Sequence, residues 1–182
     1  MASAKEILSG TKFPSVVFSV PFKHYSFIPF SEIFEAHFIK ALIEFLMSRD
    51  IKNFCFETQE PLINVFSFDF SVDKKIREIL NTLKKELTIP EYIEDTPVSA
   101  YEIVDKAVIY SPSSDEYCIY LDRAYDIAII AHNHDSGMLI FEPFKLNKEN
   151  LIEYLKMSFL NQEITSDFVN EFNENWFLKI SN

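Results

Sequence analysis

Two glycines, Gly10 and Gly137, are all that this 182-residue chain contains, and no other feature constrains it more. Loops that wrap phosphates with backbone N–H groups need glycine, because a side chain blocks the approach or forbids the dihedral angles. Neither GxxxxGKS/T, nor GxGxxG, nor GxSxG can be written from two glycines so far apart. Nucleotide-binding folds of the common kinds and nucleophile-elbow hydrolases are excluded on that ground.

The chain is otherwise built to fold. Hydrophobic residues make up 48% and charged residues 25%, which is ordinary globular usage, and the length suits one domain spanning residues 1–182. Nineteen Phe, eight Tyr and one Trp predict a core of large flat side chains. Cys55 and Cys118 each sit in an apolar run, with no CxxC pair, and read as buried thiols. No stretch approaches the roughly 18 uninterrupted apolar residues that span a bilayer, and Met1 to Gly10 has no apolar signal core. The reading is a soluble, cytoplasmic, reduced protein.

Net charge is −11. A protein that holds nucleic acid or an anionic membrane neutralises phosphates with Lys and Arg, so neither is an expected partner. Acidity serves solubility or capture of a basic protein and does not by itself choose between them; the expected partner is another protein. The one local basic cluster, Lys74 to Lys85 on a helix, reads as a solvated face.

Apolar spacing places the elements. Phe13 to Phe22 suits a strand. A helix from Ser31 to about Ser48 carries Phe34, Phe38, Leu42, Phe45 and Leu46 on one face. Asn53 to Phe56 and Leu62 to Phe70 read as strands, with Pro61 marking a turn. A helix follows from about Asp73 to Leu87, and Thr96-Pro97 opens a shorter one through Val104, although Ala107 to Tyr110 reads equally well as a strand. Tyr117 to Leu121, Asp126 to Ala131 and Met138 to Phe141 have the spacing of an antiparallel meander. Asn147 can cap a helix over Leu151 to Leu160, and Ser166 a last one bearing Phe168, Phe172 and Trp176. The fold class is α+β, a mostly antiparallel sheet with about five helices packed against it.

Chemistry has few places to sit. His132-Asn133-His134-Asp135 is the first. On a continued strand the two imidazoles point the same way, about 7 Å apart, and with Asp135 or Asp122 completing the set they form a candidate metal site. The bland reading is a polar hairpin connection with Gly137 at a positive φ. HNH nucleases are not implied, because that name describes three separated residues. His37 reads as a hydrogen-bonded core residue of the first helix, and His24 has no carboxylate near it in sequence. Asp122 and Arg123, between two strands, can form a binding edge or simply a charged turn. Acidic clusters at Glu91, Glu94, Asp95, Glu102 and Asp105, and at Asp167, Glu171 and Glu174 near Trp176, suit capture of a basic protein through charge steering with aromatic anchors.

The stretch Tyr117-Cys118-Ile119-Tyr120-Leu121-Asp122-Arg123-Ala124-Tyr125-Asp126-Ile127-Ala128-Ile129-Ile130-Ala131 resembles paired strands of the small immunity proteins of bacterial polymorphic-toxin systems. It covers under a tenth of the chain, and no functional residue is carried over with it. The resemblance implies a non-enzymatic, protein-binding domain that inhibits a basic toxin. The alternatives are a metal-dependent hydrolase using His132, His134 and an Asp, and a structural or assembly subunit. No cofactor is expected. The expected binding residues are Glu91, Glu94, Asp95, Asp122, Arg123 and Trp176.

Overall fold

The computed structural model describes residues 7–60, 65–69, 104–158, 164–177 and 179. They form an α+β fold with a six-stranded, wholly antiparallel sheet. The strands are β1 (His24–Pro29), β2 (Asn53–Glu60), β3 (Val65–Asp69), β4 (Lys106–Ser111), β5 (Ser114–Asp122) and β6 (Ile127–His132), in the spatial order β1-β6-β5-β4-β2-β3. The first strand thus closes against the last. The α-helices among the described residues are α1 (Ala36–Met47), α2 (Asp135–Phe141), α3 (Leu151–Ser158) and α4 (Ser166–Phe172), four where about five are expected. The helices read over Asp73 to Leu87 and after Thr96 fall in residues 70–103, outside the described residues.

The sheet is covered on both faces, which explains its composition. Every residue of β6 is buried, so the strand reads as a continuous apolar run rather than an alternation. Ile28, Ile119, Leu121, Ala128 and Ile130 face α1 and α2. Phe27, Val108, Cys118, Ile127 and Ile129 face the opposite layer, made by the N-terminal segment, α3 and α4. Side chains of period two thus feed two separate cores. No helix among the described residues is long and apolar enough to cross a membrane.

α1 forms where its apolar spacing predicts, burying Phe38, Ile39, Leu42, Phe45 and Leu46. Ser31 is not its cap. It lies in a 3-10 turn over Phe30–Phe34, and extended Glu35 precedes the helix. Phe13 to Phe22 is not a strand. Pro14 and Pro21 cannot donate to a ladder, and only an isolated bridge joins Leu8 to Phe18. The run instead inserts Phe13, Val17, Phe18 and Phe22 into the second core. Its place in the sheet is taken by β1. Met138 to Phe141 is helix, not strand, because the chain turns into α2 at Asp135.

The other C-terminal expectations hold with shifted caps. Asn147 accepts from the Glu149 N–H at 2.9 Å and starts a 3-10 turn leading into α3. Thr165, not Ser166, caps α4, which continues as a π-helical turn through Phe177.

Candidate functional site

β6 ends at His132, and His134 is already the N-cap position of α2. The strand therefore does not continue far enough to align the two imidazoles on one face. Gly137 does not take a positive φ either. Of the two glycines that conformation belongs to Gly10, at φ 76°. Gly137 lies within α2 and presses its Cα against the His132 ring, where a Cβ would stand 2.6 Å from Cε1.

His132 is 0% exposed. The rings of His24, Phe45 and Phe141 surround it with centroids 5.1, 5.6 and 6.0 Å away. Its Nδ1 accepts the His134 N–H at 3.4 Å, so the neutral ring carries its proton on Nε2, which has no hydrogen-bond partner. Burial, reinforced by the neighbouring His24, pushes His132 down to about 4. An imidazolium there would lose its hydration without gaining a counter-charge. The ring is uncharged at neutral pH.

The other imidazoles each meet a carboxylate. His24 Nε2 lies 2.8 Å from Asp135 Oδ1, and Lys23 Nζ donates to the same oxygen at 2.7 Å. Those two hydrogen bonds, the Lys23 one first, hold the Asp135 carboxyl below the usual carboxylate range. The Lys23 N–H donates to Asn133 Oδ1 at 3.0 Å, so the start of β1 is latched to the start of α2. His134 Nε2 lies 2.8 Å from Glu116 Oε2, and Arg49 Nε approaches the same oxygen at 3.9 Å. His37 is not a core residue. It is 61% exposed, 2.8 Å from Glu32 Oε2, and its ring stacks on Phe144 at 5.4 Å.

The candidate metal set is spread apart by this arrangement. His132 packs beneath Phe45 of α1 and Gly137 and Phe141 of α2, His134 meets Glu116, and Asp135 meets Lys23 and His24 at the surface. Among the described residues no group of three or more His, Cys, Asp or Glu is placed to hold a metal ion. What the cluster does is fasten α2 to the sheet.

The expected binding residues divide three ways. Glu91, Glu94 and Asp95 lie outside the described residues. Asp122 is 1% exposed. It caps the 3-10 turn over Arg123–Tyr125 by accepting the Ala124 N–H at 3.1 Å, and accepts the Tyr120 hydroxyl at 2.9 Å. Arg123 remains partly exposed. Trp176 is fully buried, which corrects its reading as an exposed anchor. Its Nε1–H donates to the Pro14 carbonyl at 2.7 Å, and the rings of Phe13, Phe18, Tyr25 and Phe27 lie within 6.3 Å of it. Its neighbour Phe177 is exposed, with Lys148 Nζ 4.5 Å above the ring. Both cysteines are buried and unpaired. Burial pushes the Cys118 thiol far up, the reverse of an activated nucleophile.

No family model, curated protein or solved structure matches the chain. Any functional reading therefore rests on the residues themselves.

Proposed function

We propose that the protein acts by contact, as a non-enzymatic binding domain of the cytoplasm whose partner is a basic protein. Inhibition of a bacterial toxin is the specific form suggested by the resemblance of Tyr117 to Ala131 to immunity proteins. The observation that carries the reading is the net charge of −11, which steers a cationic partner and repels polyanions. The engaged state of the conspicuous reactive groups supports it: the thiols are buried, His132 is enclosed, and His24, His37 and His134 each face a carboxylate.

The stretch that carries the resemblance is β5, the Arg123 turn and β6, and Tyr117 to Asp122 and Ile127 to Ala131 are buried. It bears on scaffold rather than on the surface that meets a partner. Phe177 and Arg123 are the described candidates for such contact.

The test is co-expression of the full chain with each toxin-like gene that neighbours its own, scored for growth and for co-purification. A basic protein that co-purifies and whose toxicity is relieved supports the reading. Growth unaffected by every pairing, together with turnover of a small molecule by the purified protein, overturns it.

A further inference from the structure

The solvent side of α4 and of its π-helical continuation carries Asp167, Asn170, Asn173, Glu174 and Phe177, all exposed. At helical spacing they form one stripe, while Phe172 and Trp176 on the other side are buried. No residue from Ser166 to Phe177 is basic. A surface kept for solubility alone intersperses both signs.

The charge also runs against the helix. Asp167 stands in the first turn, where the dipole favours a carboxylate. The last turn presents the negative pole, which favours cations, yet Glu174 stands there. The Ser15 hydroxyl donates to the nearby Glu171, whereas the Glu174 carboxylate has no partner among the described residues.

The molecule's own cations already collect at this end. Lys148 Nζ lies 4.5 Å over the Phe177 ring and Lys179 Nζ 5.8 Å over Trp176. An ammonium on an exposed ring is weakly held, and a guanidinium, flat and less hydrated, stacks there better. Phe177 is 45% exposed. Beside it a cleft of about 640 Å3, walled by Glu142, Lys145, Leu146 and Glu149, has room for a long side chain. The Lys145 charge in that wall is met by Glu142 at 2.9 Å.

We propose that this stripe is the surface on which the basic partner docks, laying an arginine on Phe177 in place of Lys148 and setting further cations against Glu174 and Asp167. The placement rests on the basic-partner reading and adds to it the surface that the partner meets.

A labelled hexaarginine peptide titrated with the full chain at low salt tests it. Phe177→Ala and Glu174→Gln each weaken binding by about two- to fivefold. Asp115→Asn, which removes an exposed charge of the same sign from β5, leaves it unchanged. Glu174→Gln also keeps or raises the Tm, because the charge it removes opposes the dipole, so its lost binding is not lost folding. Parent-like binding by Phe177→Ala, or weakening by Asp115→Asn equal to that by Glu174→Gln, overturns the surface and leaves the basic-partner reading standing. No binding of hexaarginine by the parent chain overturns both.

Discussion

The residue that stands at position 137 is dictated by the one at position 132. A Cβ on Gly137 would come within 2.6, 2.8 and 2.9 Å of three atoms of the His132 ring, and that ring cannot retreat because Phe45 and Phe141 close it in. Gly137→Ala therefore destabilises the fold by about 1–3 kcal/mol through overpacking. Helix propensity alone predicts the opposite sign, since Ala is favoured over Gly inside a helix by about 1 kcal/mol. A thermal melt decides between the two, because a raised Tm would mean that the ring yields.

Acid should weaken the protein over a defined window. His132 titrates at about 4 when folded and near the ordinary value of about 6.5 when unfolded. Between those values the unfolded chain binds a proton that the folded chain refuses, so stability falls as pH falls. The full loss is about 3 kcal/mol, and above the ordinary value this group contributes no slope. Urea midpoints measured from pH 7 to pH 4 should show the decline, and His132→Gln should flatten it. An equal slope in that variant would assign the effect elsewhere.

Asp135 acts in the same direction at lower pH. Lys23 and His24 hold its carboxyl down, so its contribution is present above the ordinary carboxylate value and is lost as pH falls through the depressed one. Asp135→Asn should leave the His132 window intact and remove only the later loss. Disappearance of both phases together would show that the two groups titrate as one.

Trp176 should matter to folding and not to recognition. Trp176→Phe removes the Nε1–H bond to Pro14 and leaves space beside Phe13, Phe18, Tyr25 and Phe27, at a cost of about 1–4 kcal/mol. Denaturant titration followed by circular dichroism measures it. Lost partner binding in a variant that melts like the parent would contradict its place in the core.

Local pattern alone located much of the scaffold. Phe38, Leu42, Phe45 and Leu46 repeat at helical spacing and become the buried face of α1. Tyr117 to Leu121 and Ile127 to Ala131, split by a short polar turn, become β5 and β6. The failures have a common cause, which is that distant partners decide between equal local readings. Phe13 to Phe22 is as apolar as a strand, yet β6 pairs with His24–Pro29 instead. Four apolar residues at Met138 to Phe141 suit either a strand or a helix turn.

The site was less legible still. Asp135 and His24 stand 111 positions apart, and only the antiparallel register of β1 with β6 brings them together. The short spacing of His132, His134 and Asp135 suggests convergence, but the end of β6 at His132 sends them in three directions. Trp176 beside Glu174 looks like a surface anchor because sequence shows neighbours along the chain and not what packs across it.

The central claim, recognition of a basic partner through an acidic surface, is tested most directly by association kinetics with a co-purifying protein, measured against ionic strength. Charge steering predicts an association rate that falls about tenfold or more between low and high salt while the dissociation rate changes little. An association rate indifferent to salt, or one that rises with it, would contradict the claim.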